Sequence, residues 1–299
     1  MRAFLTGGNG FVGRHLAAHL EAQGDTVMIF DLPHDVTNTD DVATALAAAR
    51  PDAIYHLAAL SHVGTSWDDP TAVLRVNVLG TASVLAAARR EVPDATVLVV
   101  SSAEVYGIVT PDELPLTETS DVRPASPYAA SKAAAEDVAL QAFRGFAQRV
   151  LVVRPFNHVG PGQAPSFFVP ALATRLLEAH AEGRDAVPVG TLTTRRDFTD
   201  VRDVVAAYRL VVAHGTPGQI YNLSTGEDRT MQSIADELRT LINPAIALRE
   251  DPALVRPADV PVLRGDASKL RAATSWVPQH TWRATLEAIV DERRRALSA

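Results

Sequence analysis

Thr6-Gly7-Gly8-Asn9-Gly10-Phe11-Val12-Gly13 carries the first decision about this chain. Before it, Ala3–Thr6 is a short apolar run; after it, Val12–Gln23 has helical spacing, so the glycines stand between a predicted strand and a predicted helix. They satisfy Gly-x-Gly-x-x-Gly at Gly8, Gly10 and Gly13, and a wider form through Gly7. A side chain here would obstruct the tight turn, the approach of a pyrophosphate to backbone N–H groups, or the packing of helix on strand. The expectation is a dinucleotide cradle formed by Gly7, Gly10, Phe11, Val12 and Gly13. Asp31 supports it, because it ends the second predicted strand 21 residues after Gly10, where a carboxylate can accept hydrogen bonds from an adenosine ribose. No Lys or Arg lies between Asp31 and Thr39, so a 2′-phosphate would face Asp31 without a nearby cation. That favours NAD(H), with NADP(H) as the alternative.

Outward from this turn, short β-branched runs alternate with helical patterns. Strands are predicted near Ala3–Thr6, Thr26–Phe30, Ala53–Leu57, Thr96–Ser101 and Arg149–Arg154, and helices near Val12–Gln23, Asp40–Arg50, Thr71–Arg90 and Pro127–Phe146. Alternation of this kind is the signature of βαβ units, and near-continuous apolar strands are expected where helices cover both sheet faces. The fold class is therefore α/β: a Rossmann-type doubly wound parallel sheet, with a smaller C-terminal α/β substrate domain. Four prolines between Pro155 and Pro170 mark a change of texture, which places the first domain at 1–160 and the second at 161–299. A segment near 196–222, including a helix over Asp200–Ala213, is expected to return to the first domain; a final helix is predicted near Arg283–Ala296.

The 299 residues are 47% hydrophobic and 21% charged, an ordinary globular balance. With 28 Lys+Arg against 35 Asp+Glu, the net charge of −7 leaves no broad basic surface for nucleic acid or an anionic membrane. The absence of cysteine excludes a disulfide framework, a thiolate metal site and a Cys nucleophile, and points to a cytoplasmic protein. No metal site is expected, and no apolar run is read as long enough to span a bilayer.

The catalytic signal is Tyr128-Ala129-Ala130-Ser131-Lys132 on a predicted helix. Residues four apart share a helix face, and a neighbouring ammonium favours the phenolate, lowering the tyrosine pKa from ~10 toward working pH. The motif follows Ser101-Ser102-Ala103-Glu104-Val105-Tyr106-Gly107, which lies at the carboxyl end of the fourth strand, the edge where doubly wound sheets hold their ligands.

Together with His56-Leu57-Ala58-Ala59, Asn77 and Arg154-Pro155-Phe156-Asn157, these residues resemble the extended short-chain dehydrogenase/reductases that act on nucleotide sugars. The resemblance covers essentially the whole chain. It implies Ser102 as the catalytic hydroxyl, Tyr128 as acid/base, and Lys132 as the group that tunes Tyr128 and holds the nicotinamide ribose. It further implies cofactor contacts at Leu32, Asp35, Val36, Leu57, Ala58, Ala59, Asn77, Ser101, Arg154 and Phe156.

Phe156-Asn157-His158-Val159-Gly160-Pro161-Gly162-Gln163, the Arg195–Asp203 stretch, and Arg256-Pro257-Ala258-Asp259 with Gly265–Leu270 are similar to the GDP-mannose branch, and within it to the GDP-4-keto-6-deoxy-D-mannose reductases that form GDP-D-rhamnose. Guanidinium groups match phosphate oxygens bidentately, so isolated arginines suit local capture of a diphosphate by an acidic protein. The resemblance implies substrate contacts at Ser61, His62, Ser102, Glu104, Asn157, Arg196, Arg256 and Asp259, with a GDP-sugar favoured. It implies NAD(P)H-dependent reduction of a C4 keto group. The alternatives are a 4-epimerase of the same family, a 4,6-dehydratase, in which Glu104 could serve as base, and a non-catalytic dinucleotide sensor. Val84, Leu85, Ala133, Ala134, Val138 and Leu140 exceed what one sheet-facing stripe requires, and a homodimer or dimer of dimers is expected from them.

Overall fold

The computed structural model describes residues 1–254 and 260–298. In chain order its elements are β1 (Arg2–Thr6), α1 (Phe11–Ala22), β2 (Thr26–Phe30), α2 (Thr39–Ala49), β3 (Ala53–His56), α3 (Pro70–Leu74), α4 (Gly80–Glu91), β4 (Thr96–Val100), α5 (Pro127–Phe146) and β5 (Val150–Pro155). There follow β6 (Asn157–Val159), α6 (Phe168–Glu182), β7 (Ala186–Val189), β8 (Arg195–Asp200), α7 (Val201–His214), β9 (Ile220–Leu223), β10 (Asp228–Thr230), α8 (Met231–Ile242), β11 (Ala247–Glu250), β12 (Val262–Leu263), α9 (Ser268–Thr274) and α10 (Trp282–Leu297).

The main sheet has the order β2-β1-β3-β4-β5-β9, and every pairing in it is parallel. The order reverses between β1 and β3, so a crevice opens outside their carboxyl ends. Both faces are covered: Leu5, Tyr55, Leu98 and Val153 pack with Leu16 and Leu20 of α1 and with Val204 and Val211 of α7, while Phe4, Ile54, Val97 and Val152 pack with residues of α2, α4 and α5. Double coverage is why β3 and β5 are buried throughout. Local sequence starts the helices: Ser126 accepts a hydrogen bond from Ala129 N at 3.1 Å, Pro127 occupies the first turn of α5, and Asn38 and Asp200 cap α2 and α7.

A second layer joins β6, β8, β10 and β12 in one small sheet and β7 with β11 in another, against α6, α8 and α10. The chain then returns to the main sheet, where α7, β9 and α9 add Tyr208, Leu223 and Leu270 to the α1-side core.

Most predicted elements are present with ends displaced by a residue. The exception is the single helix predicted over Thr71–Arg90: it is α3, a π-helical turn over Arg75–Leu79, and α4. Apolar periodicity continues through the turn, so nothing in the pattern betrays the wider hydrogen-bonding. By length and composition Pro70–Glu91 could cross a membrane, contrary to the expectation that no run is long enough, but half of the apolar window is buried inside the fold.

Candidate active site

The turn between β1 and α1 is built as the glycines require. Gly7 has φ +72°, and a Cβ on it would lie 2.7 Å from Ala58 N; a Cβ on Gly13 would lie 2.6 Å from Gly8 Cα. At Gly10 the nearest atom to an added Cβ is Gly7 O at 3.3 Å. Gly10 also heads α1 without any side-chain cap, so the first N–H groups of that helix point at the cleft unpaired by side chains. Asp31, just past β2, accepts from Asn9 N and Leu32 N, both at 2.8 Å, which ties the glycine turn to the second strand end.

One cleft of about 1180 Å³ runs from this turn to the second layer. Its wall includes Gly7, Gly10, Phe11, Val12, Gly13, Asp31, Leu32, Asp35, Val36, Leu57, Ala58, Ala59, Ser61, Ser101, Ser102, Glu104, Tyr128, Lys132, Phe156, Asn157 and Arg196, all of them expected from the sequence. Arg256 and Asp259 lie outside the described residues.

At the carboxyl end of β4, Ser102 caps a short turn over Ala103–Tyr106, its Oγ accepting from Glu104 N at 3.2 Å. Tyr128 projects from the first turn of α5, its phenol near the Ser102 hydroxyl. Burial pushes the Tyr128 pKa up to about 12; the nearby Ser102 hydroxyl opposes this, and the Glu104 charge adds to it. Here the structure corrects the sequence reading, which had Lys132 lowering Tyr128. The Lys132 ammonium donates to Val100 O at 2.7 Å and is itself brought down to about 8 by burial, partly offset by the Glu136 carboxylate. Desolvation is the largest influence on both groups. At neutral pH the phenol therefore keeps its proton and can donate it.

Asn77 and Arg154, expected at the cofactor, do not line the cleft. Asn77 is carried by the π-helical turn and is 2% exposed; it accepts from Leu60 N at 2.8 Å and donates to Leu60 O at 3.1 Å and Ser131 Oγ at 2.8 Å. It thus holds the strand-end loop after β3 against α5. Arg154 meets Glu136 of α5 through Nη2–Oε2 at 2.7 Å and Nε–Oε1 at 2.9 Å, and also donates to Tyr106 Oη at 3.1 Å. Ser101 Oγ donates to the same Glu136 carboxylate. This buried network fixes α5, and with it Tyr128, to the ends of β4 and β5.

His62 also lies off the cleft, in a small adjoining hollow, where its Nδ1 accepts from Thr65 N at 3.1 Å. Its ring meets the edge of Phe167, which does face the cleft. The wall also contains residues that the sequence reading did not select: Arg75 near Asp35, Arg175 on α6, Thr194 beside Arg196, and Tyr208 on α7. None belongs to a spaced motif, so only the fold assembles them. Among the described residues no group of His, Asp and Glu could hold a metal ion.

The family model described as GDP-mannose 4,6 dehydratase matches residues 30–289. The chain is 37% identical to GDP-6-deoxy-D-mannose reductase of Pseudomonas aeruginosa over 97% of its own length and 96% of that protein. The solved structure of RMD from Pseudomonas aeruginosa complexed with NADPH superposes with a TM-score of 0.91 at 35% identity, covering 99% of both chains. That of Thermus thermophilus UDP-glucose 4-epimerase complexed with NAD gives a TM-score of 0.89 at 29% identity, covering 99% of this chain and 100% of that one.

Proposed function

Because the chain belongs to the GDP-mannose 4,6-dehydratase family, we propose that it reduces the C4 keto group of a GDP-4-keto-6-deoxyhexose with a nicotinamide dinucleotide. It is an NAD(P)-dependent oxidoreductase of nucleotide sugars, like the relatives it matches. The observation that carries the reading is the meeting of Ser102, Tyr128 and Lys132 at the carboxyl end of β4, inside the cleft that begins at the glycine turn.

The residues present fit a dinucleotide: the uncapped start of α1 and the side-chain-free turn suit a pyrophosphate, and Asp31 suits a ribose hydroxyl. When bound, that group supplies the hydride. Tyr128, protonated at neutral pH, donates its proton to the oxygen at C4 as charge develops there, and Ser102 hydrogen-bonds the same oxygen. Lys132 fixes its end of α5 to β4 through Val100 O. At the far end Arg196 and Arg175 face the cleft and suit the nucleotide diphosphate.

For the cofactor, Asp31 favours NADH. Arg75 does reach the adenosine end, 3.8 Å from Asp35, but that carboxylate already faces it. A preference for NADPH above roughly tenfold, ~1.4 kcal/mol, would refute this part. We place the protein in the cytoplasm as a homodimer or dimer of dimers; Val84, Leu85 and Leu140, expected to be spare, are buried within the chain, and the large exposed apolar residues of these helices are Leu74, Leu79 and Phe146. A monomer by light scattering at micromolar concentration would remove the dimer.

The decisive assay supplies GDP-4-keto-6-deoxy-D-mannose and NADH and follows absorbance and product together. Stoichiometric oxidation of NADH is expected. Glu104, on the cleft wall with its charge acting on Tyr128, favours a 4,6-dehydratase as the second reading; turnover of a GDP-hexose without net consumption of dinucleotide would establish it instead.

A further inference from the structure

Gln163 lies in the connection between β6 and α6, where it lines the cleft although only 5% of it is exposed. The connection is fastened from two sides. His15 of α1 donates to Pro161 O at 2.8 Å and Arg14 Nη2 to Gly162 O at 3.4 Å, while Arg293 of α10 donates to Gln163 O. Backbone held on both flanks keeps the side chain inside the cleft. Among the described residues that side chain makes one hydrogen bond, from Nε2 to His158 O at 3.2 Å. A backbone carbonyl can only accept, so this bond fixes which end of the amide is which and leaves Oε1 over as an acceptor. Unlike the hydroxyls of Tyr55 and Tyr208, which are sealed in the core, Oε1 is not cut off from solvent. An amide that is nine-tenths buried and half satisfied is costly, and methionine would fill the same place without that cost.

Two features say what this acceptor can bind. Phosphate oxygens and carbonyls offer only lone pairs, so it requires a ligand hydroxyl or amide N–H. Its amide is anchored on β6, which pairs with β8 through Asn157–Phe198 and His158–Thr199, and β8 also carries Arg196 of the diphosphate end. The acceptor therefore belongs to the substrate layer, where the donors that a nucleotide sugar brings are its hexose hydroxyls. We propose that Gln163 Oε1 accepts a hydrogen bond from a ring hydroxyl of the hexose, which makes Gln163 a substrate-binding residue that discriminates between sugars. This rests on the nucleotide-sugar reading of the cleft.

The test is calorimetry on the NADH-loaded protein, wild type against Gln163→Met, with GDP, GDP-6-deoxy-D-mannose and the analogues of that sugar lacking the C2 or the C3 hydroxyl. Gln163→Met is expected to bind GDP-6-deoxy-D-mannose about threefold to tenfold more weakly, with its affinities for GDP and NADH unchanged. In wild type one of the two analogues should lose a similar factor, and Gln163→Met should bind that analogue no more weakly than the parent sugar, because the cycle isolates the pair. Unchanged affinity of the variant for GDP-6-deoxy-D-mannose overturns the proposal. So does an equal loss for GDP, which would make Gln163 structural, or a loss confined to NADH, which would put the acceptor on the dinucleotide. Full affinity of wild type for both analogues overturns it whether or not the variant folds. A wild type that binds NADH but not GDP-6-deoxy-D-mannose overturns the nucleotide-sugar reading and the proposal with it, a result separate from a wild type that binds and a variant that does not differ.

Discussion

Replacing Arg154 with methionine separates a structural arginine from a cofactor-binding one. The Arg154 and Glu136 side chains are 4% and 5% exposed and bonded at 2.7 and 2.9 Å. Methionine keeps much of the volume but leaves the Glu136 carboxylate buried with Ser101 as its remaining side-chain partner. Breaking one side of a buried pair costs about 3–5 kcal/mol, because the surviving charge keeps its desolvation penalty and loses its attraction. For a chain of this size that corresponds to a drop of roughly 5–8 °C in melting temperature. The double variant Arg154→Met, Glu136→Leu should recover most of the loss, since an apolar pair of similar volume is often as stable as the ion pair it replaces. Thermal unfolding by circular dichroism gives the stability arm. Fluorescence titration with NADH, at a temperature where every variant is folded, gives the binding arm and should show affinities within a few-fold of wild type. A single variant that melts like wild type but binds NADH more than tenfold less tightly would refute the reasoning and return Arg154 to the cofactor.

Tyr128→Phe should lower kcat by about 10²–10⁴-fold with little change in nucleotide-sugar affinity, because only the proton donor is lost; near-normal turnover would remove Tyr128 from the mechanism. His56 is held neutral by burial between Thr6 and Thr81, its pKa pushed down to about 3, so the unfolded chain binds the extra proton below about pH 6.5. Its stability contribution is therefore complete above that pH and lost as pH falls, by up to about 3 kcal/mol between pH 6.5 and 4; urea midpoints of wild type and His56→Gln across this range should converge on acidification, and parallel curves would contradict it. Gly13→Ala should abolish NADH binding and destabilise the fold, because its Cβ would sit 2.6 Å from Gly8 Cα in a turn that has no room to yield; a variant that binds NADH normally would show that the turn can open.

Features that depend on neighbouring residues were legible before any coordinates. The glycine turn, the short buried strands, the capped start of α5 at Ser126-Pro127 and the Tyr128/Lys132 pair all follow from local sterics, capping and helical spacing, and each falls where the sequence reading put it. The π-helical turn was not legible, because apolar spacing does not record which backbone carbonyl an N–H reaches. Asn77 and Arg154 were expected at the cofactor, whereas the structure gives them partners far along the chain, Leu60 and Ser131 in one case and Glu136 in the other. A sequence shows that a polar residue sits in an apolar stretch without showing which distant group satisfies it.

By itself, then, the sequence determined a parallel α/β fold with a phosphate-suited turn and the placing of Tyr128 and Lys132 on one helix, because those depend on backbone conformation and spacing over a few residues. The tertiary structure alone decided the strand order that opens the cleft between β1 and β3, the presence of Arg75, Arg175 and Tyr208 on its wall, and the protonation of Tyr128. The reason is that desolvation and through-space contact are properties of an assembled interior: burial raises the Tyr128 pKa whatever its helix neighbour carries, and a side chain faces a cleft only once elements distant in the chain have packed around it.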